Sequence, residues 1–215
     1  MRIILVIGIS LIINNTLNAA EPTPTPAPFW KSKPKVYKSI KEDRYIAISV
    51  KTDEVKDQER LIMACGGRIH APLSFTHQHI NDFNSYSKLL PYVDETSFDP
   101  KTKNLFVHTS LLGYHVRMTL HMETQSTANG YRINWESISG SFKGMKGVII
   151  EDRDGSEHTE ISMDATHMAH DLGIPAILSG PIIEIAGRKI AARMRAHIES
   201  EWEKSKKELK IVLPR

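Results

Sequence analysis

The chain has 215 residues, with 28 basic and 25 acidic side chains and a formal net charge of +3. This length fits one domain, and the near balance of charge argues against nucleic acid as a partner. Cys65 is the one cysteine in the sequence. An internal disulfide is therefore excluded, and burial of apolar side chains must stabilise the fold.

The first 20 residues have the pattern of a secretory signal peptide. Arg2 precedes an apolar run over residues 3–13, and small residues lead to a cleavage site near Ala19 or Ala20. The run is too short for a stable membrane span, so export with cleavage is the favoured interpretation. An uncleaved anchor or a buried strand is the alternative. We therefore expect a periplasmic or secreted protein.

The remaining chain divides into a segment and a domain. Residues 21–43 are Pro-rich and basic, and their first part, EPTPTPAP over residues 21–28, is typical of an extended spacer. Residues 44–210 are expected to form a single domain.

Strand patterns dominate the first part of this domain. Apolar and polar residues alternate over residues 44–51, which predicts a half-buried strand. Residues 53–59 are interpreted as a polar connector, and residues 61–69 as a second strand softened by Gly66 and Gly67. Later strands are predicted over residues 94–99, 104–111, 114–123, from 131 to 136, around a bend at 140–147, and over 159–168.

Helical patterns occur in two places. Residues 69–93 predict two short helices, the first entered at Ala71-Pro72 and the second ending at Leu90-Pro91. Pro181 is predicted to begin a long C-terminal helix, where apolar residues recur every fourth position as far as Trp202. This stripe of about six turns needs a large apolar surface to cover it.

This order of elements resembles the SRPBCC superfamily, the START-like helix-grip proteins, over roughly residues 60–205. The segment WESISGSFKGMKG (residues 135–147) and the strand through Thr159 are similar to the polyketide cyclase and coenzyme-Q-binding branch. The resemblance implies an α+β fold in which a curved antiparallel β-sheet wraps around the long C-terminal α-helix, with two short helices after the first core strand. Residues 44–51 are an additional strand that this pattern does not require.

The resemblance also implies an apolar cavity between sheet and helix, suited to a lipid, sterol, isoprenoid quinone or polyketide. Side chains predicted on the inner faces are candidates for its walls, and flexible methionines suit irregular apolar shapes. An ordinary packed core is the alternative interpretation of the same residues. The candidates are Phe83, Tyr86, Leu90, Val116, Met118, Leu120, Trp135, Met163, His167, Ile183, Ile190 and Met194.

The ten histidines do not predict a metal site. His77 and His79 are two positions apart in a helical stretch, where their side chains diverge, and His115 and His121 share the solvent face of a strand. His167 continues the inward parity of the last strand, so it is a candidate polar contact or acid/base group. We expect no metal and no cofactor.

The sequence also lacks a spacing that would join a nucleophile to a base, so it predicts no catalytic residue and favours a binding protein over an enzyme. Our leading hypothesis is an exported monomer that holds or carries a hydrophobic small molecule such as a lipid, isoprenoid or polyketide. A cyclase- or dehydratase-type enzyme using the same cavity is one alternative. The other is an envelope-surface interaction module whose basic helix end makes transient contact with an anionic membrane. The short helices of residues 69–93 are expected to cap the open end of the cavity.

Overall fold

The computed structural model describes residues 28–111, 113–170 and 176–212. The predicted signal peptide and residues 21–27 lie outside this part of the chain. The strands are β1 (Ala47–Val55), β2 (Gln58–Ile69), β3 (Val93–Asp99), β4 (Asn104–Leu111), β5 (Tyr114–Ser126), β6 (Gly130–Gly140), β7 (Lys146–Arg153) and β8 (Thr159–Ala169). The helices are α1 (Pro34–Glu42), α2 (Leu73–Ile80), α3 (Tyr86–Leu89) and α4 (Ala176–Val212), and a short 3₁₀ turn, Phe83–Ser85, leads directly into α3.

The strands form one antiparallel sheet in the order β1-β2-β8-β7-β6-β5-β4-β3. Strands β3 to β8 follow one another as a meander, and β8 returns beside β2. The concave face of this curved sheet packs on the long helix α4. The α+β helix-grip fold, with two short helices after the first core strand, is therefore confirmed.

Helix α4 is longer than the sequence predicts. It begins at Ala176, so Pro181 lies inside it rather than at its first turn. Pro181 is the sixth residue of the helix, beyond the first four residues whose N–H groups have no internal partner, so it removes one backbone hydrogen bond of the helix. At 37 residues the helix runs past the apolar stripe that suggested its length.

Residues 53–59 are a hairpin, so their interpretation as a polar connector is wrong. Val55 pairs with Gln58, and the two residues between them, Lys56 and Asp57, have positive φ angles of 50° and 62°. Two positive φ angles are typical of the tightest hairpin turn, which usually carries Asn-Gly. The strands extend to this turn with polar side chains because β1 lies at the edge of the sheet.

One half of the concave face is densely packed. Large side chains from β4, β5 and β6 meet the C-terminal half of α4 and the residues of α2 and the 3₁₀ turn. Ile133 and Ile198 are fully buried at the centre of this cluster. Around them lie Phe75, Phe83, Phe98, Leu105, Leu120, Met122, Trp135 and Trp202.

Residues 29–42 pack on the convex face, although the sequence does not predict structure there. Trp30 is fully buried against β2, where a Cβ atom at Gly66 would lie 2.0 Å from the indole nitrogen. Ile40 of α1 is also fully buried and packs with Ala47. The glycine that softens β2 is thus the site of close approach by a tryptophan.

Ion pairs attach the same segment to β8. The Glu160 carboxylate lies 2.8 Å from the Lys31 amine and 2.9 Å from the Lys41 amine, and the Tyr37 hydroxyl donates to it at 3.0 Å. Burial raises the pKa of Glu160, but hydrogen bonds from the two lysines outweigh it and bring the pKa below its usual value. The basic character of residues 31–41 is therefore matched by an acidic position on the sheet.

None of the described helices combines the length and the apolar character that crossing a membrane requires.

Replacing Trp30 with Ala tests whether residues 29–42 belong to the domain. Because the indole is fully buried, we expect the free energy of unfolding to fall by about 3–5 kcal/mol. Urea denaturation followed by circular dichroism measures it. Lys35→Ala, at an exposed position of α1, is the control and should change stability little. A loss below about 1 kcal/mol for Trp30→Ala would show that the segment contributes no core.

Candidate ligand cavity

A cavity of about 480 Å³ lies on the other half of the concave face, between β1, β2, β8 and the N-terminal half of α4. This volume is within the usual range of small-molecule sites, about 300–1,000 Å³. Its lining is almost entirely aliphatic. The side chains that form it include Ile46, Ile48, Val50, Met63, Ile69, Ile149, Ile161, Met163, Ile183, Ile190 and Met194.

Small residues leave this space open. The residues of α4 that border the cavity include the small Ala186, Gly187 and Ala191. Those of β2 include Cys65 and Gly67. At Gly187 an added Cβ atom would make ordinary van der Waals contact with β1, at 3.5 Å from the Ile48 side chain. The densely packed half of the same face carries aromatic and long aliphatic side chains instead. The cavity therefore lies where the facing residues of α4 and the sheet have small side chains, and the packed half lies where they have large ones.

Side chains of α4 close the cavity along the free edge of β1. The Val50 amide donates to Glu184 at 3.1 Å, and the Arg188 guanidinium donates to the Ile46 carbonyl at 2.8 Å. The Arg195 guanidinium donates to the Arg44 carbonyl at 2.6 Å. Unpaired backbone groups on an edge strand are thereby bonded, and the helix is held against the strand.

Arg195 also brings a charge to one end of the cavity. Burial lowers the pKa of this guanidinium, Arg44 lowers it further, and Glu199 opposes both. The Glu199 carboxylate is an ion-pair partner of Arg44 and accepts a hydrogen bond from the His70 amide at 2.9 Å. Two guanidinium groups and one carboxylate therefore leave an excess of positive charge at this end.

Six of the twelve candidate residues border the cavity: Tyr86, Leu90, Met163, Ile183, Ile190 and Met194. Contact of these residues with a ligand stays a prediction. The Tyr86 hydroxyl donates to the Ile80 carbonyl, and burial raises the pKa of the phenol above its usual range. Tyr86 therefore faces the cavity with its ring and keeps its proton at neutral pH.

The other six candidates lie away from this cavity. Phe83, Leu120 and Trp135 belong to the packed half of the concave face. Val116 and Met118 are half-buried on β5, before the register shift at Thr119 and Leu120. A parity pattern identifies the inner face of a strand, but not which part of that face encloses space.

His167 is buried, but it contacts Phe142 rather than the cavity. The two rings meet edge to face with their centroids 5.5 Å apart. Burial lowers the pKa of His167, and its Nδ1 atom has no hydrogen-bond partner among the described residues. The side chain lies on the inner face of β8, as its parity in the sequence predicts. A polar contact with a ligand would require His167 to border the cavity, and it does not.

Cys65 borders the cavity as a protonated thiol. Burial, together with the charge of Asp164, raises its pKa to about 11. A thiolate is the reactive form of cysteine, so this side chain acts as a small apolar residue at neutral pH.

Sequence reasoning missed a buried polar pair beside the cavity. Glu151 is fully buried on the concave face of β7, and its Oε2 atom lies 2.7 Å from Nδ1 of His77 on α2. The His77 ring stacks on Tyr131 with centroids 3.6 Å apart, and the Asn81 amide lies 3.1 Å from the same Nδ1. Residue 151 is two positions after Ile149, so strand alternation places both side chains on the inner face of the sheet. This pattern could have predicted a buried position, but an acidic residue usually indicates solvent exposure.

The basic end of α4 carries its own counter-charges. Lys204 lies 2.7 Å from Glu201, and Lys206 is paired with Glu203, each one turn apart on the helix. These pairs reduce the charge available for an anionic surface, the partner that the interaction-module hypothesis requires.

The fold is shared with solved structures of low sequence identity. A STAR-related lipid transfer protein from Xanthomonas axonopodis matches with a TM-score of 0.54 and 11% identity, over 70% of this chain and 98% of that one. The Zhui aromatase/cyclase from a Streptomyces species matches with a TM-score of 0.52 and 11% identity, over 67% of this chain and 94% of that one. A START superfamily protein from Mycobacterium smegmatis matches with a TM-score of 0.50 and 13% identity, over 66% and 97%.

These comparisons define the class of fold: the chain has the START-like helix-grip fold, as the order of its elements predicts. At such low sequence identities they establish the fold, and the function has to be argued from the residues of the cavity. No model of a protein family matches the sequence. A search of curated proteins finds no match either.

Replacing Glu151 with Gln is expected to change how stability depends on pH. Burial raises the pKa of the Glu151 carboxyl from its usual 4.5, although His77 opposes the shift. The folded chain therefore holds this proton more tightly than the unfolded chain, and the resulting stabilisation is lost as pH rises through the folded pKa. Glu151→Gln should therefore gain stability relative to the wild type as pH rises above about 4.5, the usual pKa of this carboxyl.

Urea denaturation at several pH values measures this difference. Glu157→Gln, which changes an exposed carboxylate of the β7–β8 turn, is the matched control and should follow the wild-type curve. A Glu151→Gln curve parallel to the wild type, or one that falls away from it as pH rises, would contradict the assignment.

Proposed function

We propose that the protein binds a hydrophobic small molecule, of the size of a lipid, isoprenoid or polyketide, in the cavity between the sheet and α4. The observation that carries this proposal is an aliphatic cavity of about 480 Å³ lined by β1, β2, β8 and α4. Burial of apolar surface supplies the affinity, at about 25 cal/mol for each Å² removed from water.

The composition of the lining narrows the class of ligand. A buried hydroxyl or amide that finds no partner costs about 1–3 kcal/mol. The titratable side chains among the described lining residues are Cys65, Arg68, Tyr86 and Arg195. Arg68 is bonded to Asp154 at 2.6 Å, and the Tyr86 hydroxyl is already bonded to Ile80. The body of the ligand is therefore apolar.

Arg195 supplies the orientation. It is the charged side chain at the end of the cavity where Arg44 and Glu199 also lie. A carboxylate, phosphate or enolate on one end of the ligand would be attracted there, since guanidinium binds such groups with paired hydrogen bonds. The ligand that fits best is an amphiphile with an apolar body and a weakly anionic end.

Binding is favoured over catalysis by the same residues. Acid–base catalysis needs a group of matched pKa within hydrogen-bond reach of the substrate. Cys65 and Tyr86 keep their protons, and the Glu151–His77 pair lies outside the residues that border the cavity. A cyclase or dehydratase would have to use Arg195 alone, which stays charged.

Filling the cavity tests the proposal directly. Ala191→Phe adds a ring to a lining position of α4, and we expect it to weaken binding of the apolar dye N-phenylnaphthylamine by about tenfold or more. Ala196→Phe places the same ring on an exposed position of the same helix and should leave binding unchanged. Fluorescence titration measures the affinity, and circular dichroism confirms that both variants fold.

Native mass spectrometry of the purified protein gives a second measurement for the same variants. A co-purifying apolar species that is present in wild type and Ala196→Phe but lost from Ala191→Phe supports the proposal. Equal dye binding by all three proteins would reject the cavity as the binding site.

Export is a further part of the proposal, and the sequence of residues 1–20 supports it. We expect the mature chain in the periplasmic or secreted fraction, with an intact mass that corresponds to a start at residue 20 or 21. Ile9→Arg, which breaks the apolar run, should keep the full-length chain in the cytosol, whereas Thr16→Ser should not. A full-length chain in the exported fraction, or a cytosolic wild type, would contradict it.

A further inference from the structure

Three metal-binding side chains from neighbouring strands meet on the convex face of the sheet. Asp94 of β3, His108 of β4 and His115 of β5 each place a potential ligand atom within 4.8 Å of the other two. They lie across the sheet from the cavity, on strands that do not border it. Ligand binding in the cavity therefore neither supports nor weakens a role for this cluster.

The register of the sheet brings these residues together. Ser110 pairs with His115, and His108 pairs with Arg117, so the two histidines are diagonal neighbours on one face. A register shift between Val93 and Glu95 turns Asp94 toward them. Such bulges redirect a side chain out of the regular alternation. Without the shift, regular alternation would place the side chain of residue 94 on the face opposite that of Glu95.

One ring nitrogen of His108 lacks a hydrogen-bond partner among the described residues. This atom, Nε2, is buried. Oδ2 of Asp94 lies 3.7 Å from this nitrogen, which is too far for a hydrogen bond. Two ligands of one tetrahedral ion stand about 3.3 Å apart when each bond is about 2.0–2.1 Å. A small shift would therefore place a cation between these atoms.

Ser110 orients the other two groups. Its hydroxyl donates to Asp94 Oδ2 and lies 2.8 Å from His115 Nδ1. Because the single serine proton goes to the carboxylate, the Nδ1–H group of His115 donates to Ser110 Oγ and leaves Nε2 with a free lone pair. Outer hydrogen bonds of this kind fix the tautomer of a metal-binding histidine.

We propose that Asp94, His108 and His115 form a binding site for a divalent transition-metal ion of the zinc class. Two imidazoles and one carboxylate are the ligands that Zn²⁺ accepts in three-residue sites, where water takes the fourth position. This departs from the sequence-based expectation of no metal, which rested on the divergence of His77 and His79 and on His115 and His121 sharing a solvent face. That face carries ligands from three strands.

The surrounding charges do not exclude a cation. Arg117 is opposite His108 on β5, and its positive charge opposes binding. Glu95 is opposite His108 on β3 and offsets that charge. With Asp94 itself, the cluster has one more acidic than basic group. The ion would cross-link β3, β4 and β5 near the edge of the sheet.

A serine-protease-like triad is the competing interpretation of Ser110, His115 and Asp94, but the bonds have the wrong order. In such a triad the aspartate bonds the histidine and the histidine bonds the serine. Here both Asp94 and His115 bond Ser110. The arrangement holds the two potential ligands in place and does not activate the hydroxyl.

Isothermal titration of the tag-free full chain with ZnCl₂ tests the proposal. We expect one ion per chain for the wild type, and binding weaker by about tenfold or more for His108→Ala and for Asp94→Asn. His121→Ala removes an imidazole from the same strand and the same face outside the cluster, and should bind like the wild type. CoCl₂ should give the visible absorption of a four-coordinate ion in the wild type and lose it in His108→Ala.

Two outcomes would overturn the site. If His108→Ala and Asp94→Asn bind Zn²⁺ as tightly as the wild type, the ion is held elsewhere. If the wild type takes up no ion in the titration and Zn²⁺ does not raise its melting temperature, the cluster is not a metal site. Melting curves without metal for each variant distinguish lost binding from a lost fold.

Discussion

The rest of the structure depends on how the apolar side of α4 is covered by the concave face of the sheet. The apolar stripe of this long helix has to be buried against another element, and the eight-stranded sheet buries it. Over the C-terminal half, Ile198 and Trp202 meet Leu105, Met122 and Ile133, and the space is filled. Over the N-terminal half, Ala186, Gly187 and Ala191 meet β1 and β2 across a gap. One interface therefore provides both the core and the cavity.

The strand β1 adds a wall to that gap. In a sheet that began at β2, the side of the cavity next to Met63 and Cys65 would be open. Ile46, Ile48 and Val50 close it, and α4 bonds their free backbone edge through Glu184 and Arg188. The N-terminal segment then covers the opposite face of the same strands through Trp30 and Ile40. The parts that lie outside the basic helix-grip pattern are those that complete the cavity wall.

Much of the fold follows from local patterns in the sequence. The alternation along β5 and the four-residue repeat of α4 each indicate one buried face, so periodicity is enough to predict these two elements. Ala71-Pro72 marks the start of the first short helix. The Lys56-Asp57 turn was missed because it lacks the usual Asn-Gly, and α1 was missed because its stabilisation comes from contacts with distant residues such as Glu160. The position of the cavity depends on side-chain volumes at positions far apart in the chain, so half of the candidate lining residues lie away from it. Asp94 joins two histidines only through a register shift, which no local pattern encodes.

Polar interactions, and not apolar burial alone, fix the two ends of the cavity. At the cap, α2 is held to β7 by the buried His77–Glu151 pair, and α3 is held to α2 by the bond from the Tyr86 hydroxyl to Ile80. At the other side, Arg188 and Arg195 hold α4 to the backbone next to β1. Each end of the cavity is therefore held by bonds between elements that are distant in the chain, and opening either end would break one of these sets of bonds.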